Sequence, residues 1–198
     1  MNTTLEEQET GVRSYRWTRD EYYRMAELGL LQPDSRTELI DGEIIQKVSP
    51  IGRSHRVAVY RIAETLRAIF RDGYYVDQDI PVVLTDNTEP EPDIVVAVGQ
   101  VTDYDPHPRP SDIRLLVEVS DATLMTDRNR KARTYAKAQI AEYWIVNLIA
   151  MQLEIHRDPT PSGAYRNVTA YTIAKFVSPL AMPDAAISVA DLFPPSEL

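Results

Sequence analysis

Two short runs, Asp93–Val98 and Ile113–Val119, are made almost entirely of β-branched and aliphatic residues. Such side chains lose rotamer freedom in a helix and pack well on a pleated surface. A run without polar alternation reads as a strand covered on both faces. Covering both faces of a sheet takes helices, so these runs point to a mixed sheet flanked by helices. The stretch between them, Thr102–Asp112, carries Pro106, Pro108 and Pro110 and reads as a loop.

The rest of the chain supplies the other elements. Thr18-Arg19-Asp20-Glu21 is a capping box, with Thr18 as N-cap and Glu21 at the third helical position, and Gly29 is a natural stop. Asp41-Gly42 lies between apolar runs in Arg36–Ile45, which predicts a hairpin. On such a strand Glu38 shares a face with Ile40. From Ser54 to Asp72, Val59, Ile62, Leu66 and Ile69 recur at helical spacing, with His55 on the same stripe. Tyr74–Leu84 reads as a strand in which Pro81 marks an edge or a bulge. Asp127–Ala138 reads as a helix, Glu142–Val146 and Met151–His156 as a strand pair, and the chain from Val168 as short strands. The expected class is α/β (α+β). The expected organisation is a loosely attached tail over 1–14 followed by one domain over 15–198.

Composition narrows the function classes. The chain has 198 residues and no cysteine, which removes disulfides and thiolate metal sites and makes a cytoplasmic location the expectation. The first residues are polar and acidic, unlike a secretory leader, and no apolar run reaches the ~18 residues that span a bilayer, so no membrane role is expected. The net charge of -9 argues against a protein that coats nucleic acid, although local patches can oppose it.

The candidate chemistry sits at the ends of the two apolar runs. Asp93 begins one strand, and Glu118 lies near the end of the other, on the face shared with Leu116 and opposite to Leu115, Val117 and Val119. A carboxylate inside such a strand is costly unless it is paired or bound to a cation. Oxygen ligands with room for water suit Mg²⁺ or Mn²⁺. The plainer reading is that Asp93 caps a strand and Glu118 pairs with an arginine. A basic segment follows, with Arg128, Arg130, Lys131, Arg133 and Lys137 in eleven residues that hold one acid, Asp127. It is either a solvated helix face or a phosphate-contacting one, and Arg128, Arg130, Arg133 and Lys137 are the candidates for the latter.

Taken in order, these pieces resemble a known family. Pro92-Asp93, an apolar strand and then Glu118 follow the signature of PD-(D/E)XK nucleases. The set Glu38-Leu39-Ile40-Asp41-Gly42-Glu43-Ile44, Ser49-Pro50 with His55, Pro92-Asp93-Ile94-Val95-Val96 and Leu116-Val117-Glu118-Val119-Ser120 is similar to the Uma-type family of restriction-endonuclease-like bacterial proteins. Asp127-Arg128 with Lys131 and Tyr135, then Glu142-Tyr143-Trp144-Ile145-Val146, complete it. The resemblance implies a restriction-endonuclease-like mixed sheet and metal-dependent hydrolysis of phosphodiester bonds, with DNA as substrate. Asp93, Glu118 and the Val119 carbonyl would hold Mg²⁺ or Mn²⁺, and Glu38 would be the extra upstream acid. Ser120 stands where the superfamily has its lysine, and the resemblance moves that function to Lys131 on the following helix. Asn147 stands where the family has an aspartate. Each residue has a plainer alternative: Lys131 as a surface lysine, Glu38 in a hairpin salt bridge, His55 on the core-facing stripe, Tyr135 and Trp144 as core. Two other functions stay open, a nuclease-fold binding module without catalysis and a metal-dependent hydrolase of small phosphate compounds. A homodimer is expected of an enzyme that cuts two strands.

Overall fold

The computed structural model describes residues 13–32, 36–46 and 52–195. Most of the expected 1–14 tail, and Ser49-Pro50, lie outside the described residues. Helix α1 (Arg19–Glu27) starts at the capping box: Thr18 Oγ1 accepts from the Glu21 N–H at 3.3 Å, and the Glu21 carboxylate accepts from the Thr18 N–H at 2.9 Å. It stops two residues before Gly29, which takes φ +69°. Strands β1 (Thr37–Ile40) and β2 (Glu43–Gln46) form the predicted antiparallel hairpin. Asp41 and Gly42 both have positive φ, as a tight hairpin turn requires. A Cβ on Gly42 would lie 2.7 Å from Arg16 Cβ, so the turn also needs glycine for the close approach of the N-terminal segment.

A six-stranded sheet runs in the order β3-β4-β5-β6-β7-β8. Its strands are β3 (Tyr74–Gln78), β4 (Ile94–Val98), β5 (Ile113–Ser120), β6 (Glu142–Asn147), β7 (Gln152–Pro159) and β8 (Tyr165–Thr172). Only β5 and β6 are parallel, which the helical crossover between them makes possible. Helix α2 (Arg53–Ile69) covers one face, packing Ala58, Val59, Ile62, Ala63 and Leu66 onto Ile94, Val96, Leu115, Val117, Val119, Trp144 and Val146. The crossover covers the other face. It consists of α3 (Leu124–Thr126), a π turn (Asp127–Lys131) and α4 (Ala132–Lys137), and it sets Ala132 and Tyr135 against Val95, Leu116, Tyr143 and Ile145. Two-residue strands β9 (Phe176–Val177) and β10 (Ile187–Ser188) pair with each other.

Three elements differ from the sequence reading. The strand expected over Tyr74–Leu84 ends at Gln78, because Asp79 turns the chain with φ +51° and Pro81 has no N–H to give a ladder. Beyond it, Val82 and Leu84 donate to the carbonyls of Pro90 and Thr88. The helix expected over Asp127–Ala138 begins at Leu124 and contains the π turn. Strand β8 is longer than the sequence from Val168 announced. Among the described residues no helix is long and apolar enough to cross a membrane.

Candidate functional site

A pocket of about 260 Å³ opens at one end of β4 and β5, on the face that α3 and α4 cover. Asp93 and Glu118 reach it from neighbouring strands. The antiparallel register pairs Ile94 with Val117, and one further step sets Asp93 against Glu118 on the same side of the sheet. A buried aliphatic residue in place of Glu118 would contribute about 1.5–3 kcal/mol to stability. The carboxylate forgoes that and adds a desolvation cost, so it needs partners.

The partners are close. Lys131 Nζ donates to Glu118 Oε1 at 2.7 Å, and the Tyr135 hydroxyl donates to the same oxygen at 2.9 Å. Lys131 is only 2% exposed, and its ammonium also lies 3.3 Å from Glu38 Oε2. The reading of Lys131 as a surface lysine is therefore corrected. Burial works against its charge, but Glu118, Glu38 and Asp127 outweigh burial and hold its pKa above the ordinary lysine value. Burial, reinforced by Glu118, pushes the Tyr135 phenol well above its ordinary value, so it stays a donor. Glu38 is fixed by the Glu91 N–H, which donates to Oε2 at 3.1 Å.

Asp93 Oδ2 accepts from the Val119 N–H at 2.6 Å, and His55 Nε2 lies 3.5 Å from Oδ1. His55, placed by sequence on the stripe of α2, thus lines the pocket. Burial opposes its charge, yet the hydrogen bond to Asp93 and the attraction of Asp93, Asp121 and Asp79 raise its pKa above the ordinary histidine value. On an extended strand the N–H and C=O of one residue point to the same edge. The Val119 carbonyl therefore lies on the β4-facing edge of β5, as its N–H does.

The helix is aligned by a feature that sequence patterning does not show. Asp127, Lys131 and Tyr135 are all buried. In an uninterrupted α-helix every fourth residue drifts by about 40° around the axis. The wider π turn over Asp127–Lys131 reverses part of that drift and keeps the three on the sheet side. Ser120 donates to Asp127 Oδ2 at 2.7 Å, and Thr123 Oγ1 donates to the same oxygen at 2.7 Å. These bonds pin the helix start to the end of β5. Burial nevertheless raises the Asp127 pKa, against the lowering pull of Lys131, Ser120 and Thr123. Asp127 is not among the sequence candidates for the pocket, although its four-residue spacing from Lys131, and that of Lys131 from Tyr135, sets the three on one helical face.

Of the basic candidates, two are engaged by carboxylates. Arg128 forks onto Glu154, with Nη2 2.6 Å from Oε1, and Arg130 Nη2 donates to Glu43 at 2.8 Å and to the Ile40 carbonyl at 3.1 Å. Arg133 and Lys137 are exposed and flank Gly163 of the β7–β8 turn. Asn147 accepts from the Ala150 N–H at 2.9 Å and shapes the β6–β7 turn, and Trp144 lies in the core.

Four buried carboxylates, Glu38, Asp93, Glu118 and Asp127, thus surround one buried ammonium and one histidine. Among the described residues no three His, Asp or Glu side chains are grouped to hold a metal by themselves. Two carboxylates with a backbone carbonyl and water form the kind of donor set that Mg²⁺ accepts, so Asp93, Glu118 and Val119 fit such an ion.

The sequence profile of the Uma2 family, described as "Putative restriction endonuclease", matches residues 19–190. Among solved structures, the fold is similar to that of a protein from Anabaena variabilis described as "a putative nuclease belonging to DUF820". The TM-score is 0.64, with 89% of this chain and 97% of that one covered at 18% identity, a likeness of fold. No match is found among curated proteins. The profile spans the hairpin, both buried strands and the crossover helix that build the pocket, and by that match the chain belongs to the Uma2 family.

Proposed function

We propose that this protein is a divalent-metal-dependent nuclease that hydrolyses phosphodiester bonds in DNA. The observation that carries the reading is the convergence of Asp93 and Glu118 on one face of the sheet, with the buried Lys131 ammonium 2.7 Å from Glu118. Asp93, Glu118 and the Val119 carbonyl supply the ligand oxygens for Mg²⁺ or Mn²⁺. A divalent ion held there lowers the pKa of its bound water and offsets charge on the phosphate. Glu38 and Glu118 hold Lys131 charged beside the reacting phosphate, where a compact cation stabilises the negative charge that develops. Tyr135 orients Glu118 through its hydroxyl. His55 orients Asp93. The unit that does this is one domain from Tyr15 onward, cytoplasmic, and paired as a two-fold dimer when both strands of a duplex are cut.

The test is cleavage by purified protein with Mg²⁺ or Mn²⁺ of plasmid DNA, RNA and a mononucleotide, beside Asp93→Ala. Metal-dependent nicking of plasmid by the wild type alone supports the proposal. Activity confined to the mononucleotide turns the reading to a hydrolase of small phosphate compounds. Oligonucleotide binding without cleavage under any metal turns it to a binding module.

A further inference from the structure

On the far side of the crossover helix lies a larger groove of about 760 Å³. Arg128, Arg130 and Arg133 line it from the helix, Arg16 from the N-terminal segment, His156 from β7 and Tyr165 from β8. Four guanidiniums at one place run against the chain's net charge of -9. Arg16 and Arg130 share Glu43, and Arg128 holds Glu154. Arg133 has no ion-pair partner among the described residues. Its stem is seated against the β7–β8 turn, where a Cβ on Gly163 would come 2.8 Å from Arg133 Cγ. The guanidinium is thus anchored by its stem and unoccupied at its head.

The wall of the groove carries a second sign of an outside ligand. His156 is 5% exposed, and its Nε2 finds no hydrogen-bond partner among the described residues. Buried polar atoms are nearly always bonded, so an orphan on a groove wall needs an explanation. The nearest carboxylate oxygen is Glu154 Oε2, at 4.0 Å. An anion that draws Arg128 away would leave Glu154 beside that nitrogen, which can donate a hydrogen bond to the carboxylate once the gap closes.

We propose that this groove is a second phosphate site, which takes the backbone of a polynucleotide beyond the nucleotide held at the Asp93–Glu118 pocket. The proposal rests on the nuclease reading and extends it. Asp127 and Lys131 face the pocket while Arg128 and Arg133 face the groove, so the two lie about 10 Å apart, a helix's width. A strand of several nucleotides bridges that distance and a mononucleotide does not.

The experiment is fluorescence anisotropy of a labelled oligonucleotide, single- and double-stranded, in EDTA over a range of salt. It compares wild type, Arg133→Gln, Arg133→Lys and Lys175→Ala, a surface cation outside the groove. Melting curves establish that each variant folds. Arg133→Gln should weaken binding several-fold and reduce the salt slope by about one, the amount a lost phosphate contact removes. Arg133→Lys should keep most of both, and Lys175→Ala should keep both. Unchanged affinity and slope in Arg133→Gln overturn the proposal, and so does wild-type protein that binds pyrophosphate but no oligonucleotide. The two readings separate cleanly. Metal-dependent cleavage by wild type with an inert Arg133→Gln leaves the nuclease and removes the groove. Arg133-dependent binding without cleavage does the reverse.

Discussion

Lys131 Nζ lies 2.7 Å from Glu118 Oε1, joining a helix to a strand thirteen residues earlier, with both side chains withdrawn from solvent. The bond makes the crossover and the sheet one electrostatic unit. Glu38 ties the β1–β2 hairpin into it through the same ammonium.

Lys131→Ala should therefore be a stability variant as well as an activity variant. Removing one partner of a buried ion pair leaves uncompensated charge and costs about 3–5 kcal/mol. A surface lysine would change stability by about 0.5 kcal/mol or less. Urea denaturation distinguishes the two. Adding Glu38→Gln to Lys131→Ala should recover part of the loss, because one of the stranded carboxylates is then neutral. A double variant no more stable than Lys131→Ala would count against Glu38 as a partner.

Asp93→Asn should abolish cleavage while leaving the fold in place. The amide oxygen can still accept from the Val119 N–H, while the attraction to His55 is weakened and the repulsion of Asp127 relieved. Without metal, the melting temperature should move by a few degrees at most, since 1 kcal/mol corresponds to about 2–4 °C in a chain of this size. With Mn²⁺ the variants should part. Wild type at a hundred times its dissociation constant gains about 2.7 kcal/mol, and Asp93→Asn should gain far less. Equal Mn²⁺ stabilisation of the two would remove Asp93 from the ligand set.

His156 supplies a pH signature. Burial lowers its pKa and Arg128 adds to the effect, while Glu154 pulls the other way. A histidine depressed in the folded state binds fewer protons than in the unfolded chain, so stability rises with pH. Its contribution is full above the unfolded pKa of about 6.5 and is lost as the pH falls through that value. His107, also lowered by burial, acts in the same sense, and His55, raised beside Asp93, acts in the opposite one. The difference between wild type and His156→Phe isolates His156. Wild type should lose more stability than the variant between about pH 7.5 and pH 5, measured by urea denaturation at each pH. Parallel losses would show that folding does not lower the His156 pKa.

The elements that local chemistry specifies were legible in the sequence. Thr18 and Glu21 announce their helix because the bonds that start it are made within four residues. Asp41-Gly42 announces the hairpin because few other residues accept positive φ twice in succession. The faces of Asp93 and Glu118 followed from alternation along two strands. The bonds made across the fold were not legible. Nothing near Arg128 or Arg130 in sequence indicates that Glu154 and Glu43 will take them. Lys131 is set apart from its basic neighbours by its four-residue spacing from Asp127 and Tyr135, but its bonds to Glu118 and Glu38 are not announced by it. The early end of β3 depended on the backbone of Asp79, which the alternation around it does not report.

The π turn over Asp127–Lys131 has a consequence for how this protein can change. Asn129, exposed in the middle of the turn, donates through Nδ2 to the Met125 carbonyl at 2.9 Å. Deleting that single residue, a loss of one codon, would let the backbone close into ordinary α geometry. The π turn takes one residue more than an α turn to close, so the loss would move Lys131 and Tyr135 by only a fraction of the ~100° that a deletion from a regular α-helix imposes. The turn is thus the place where this helix can change length at least cost to the Lys131–Glu118 bond, and variants shortened by one residue are expected to be shortened here.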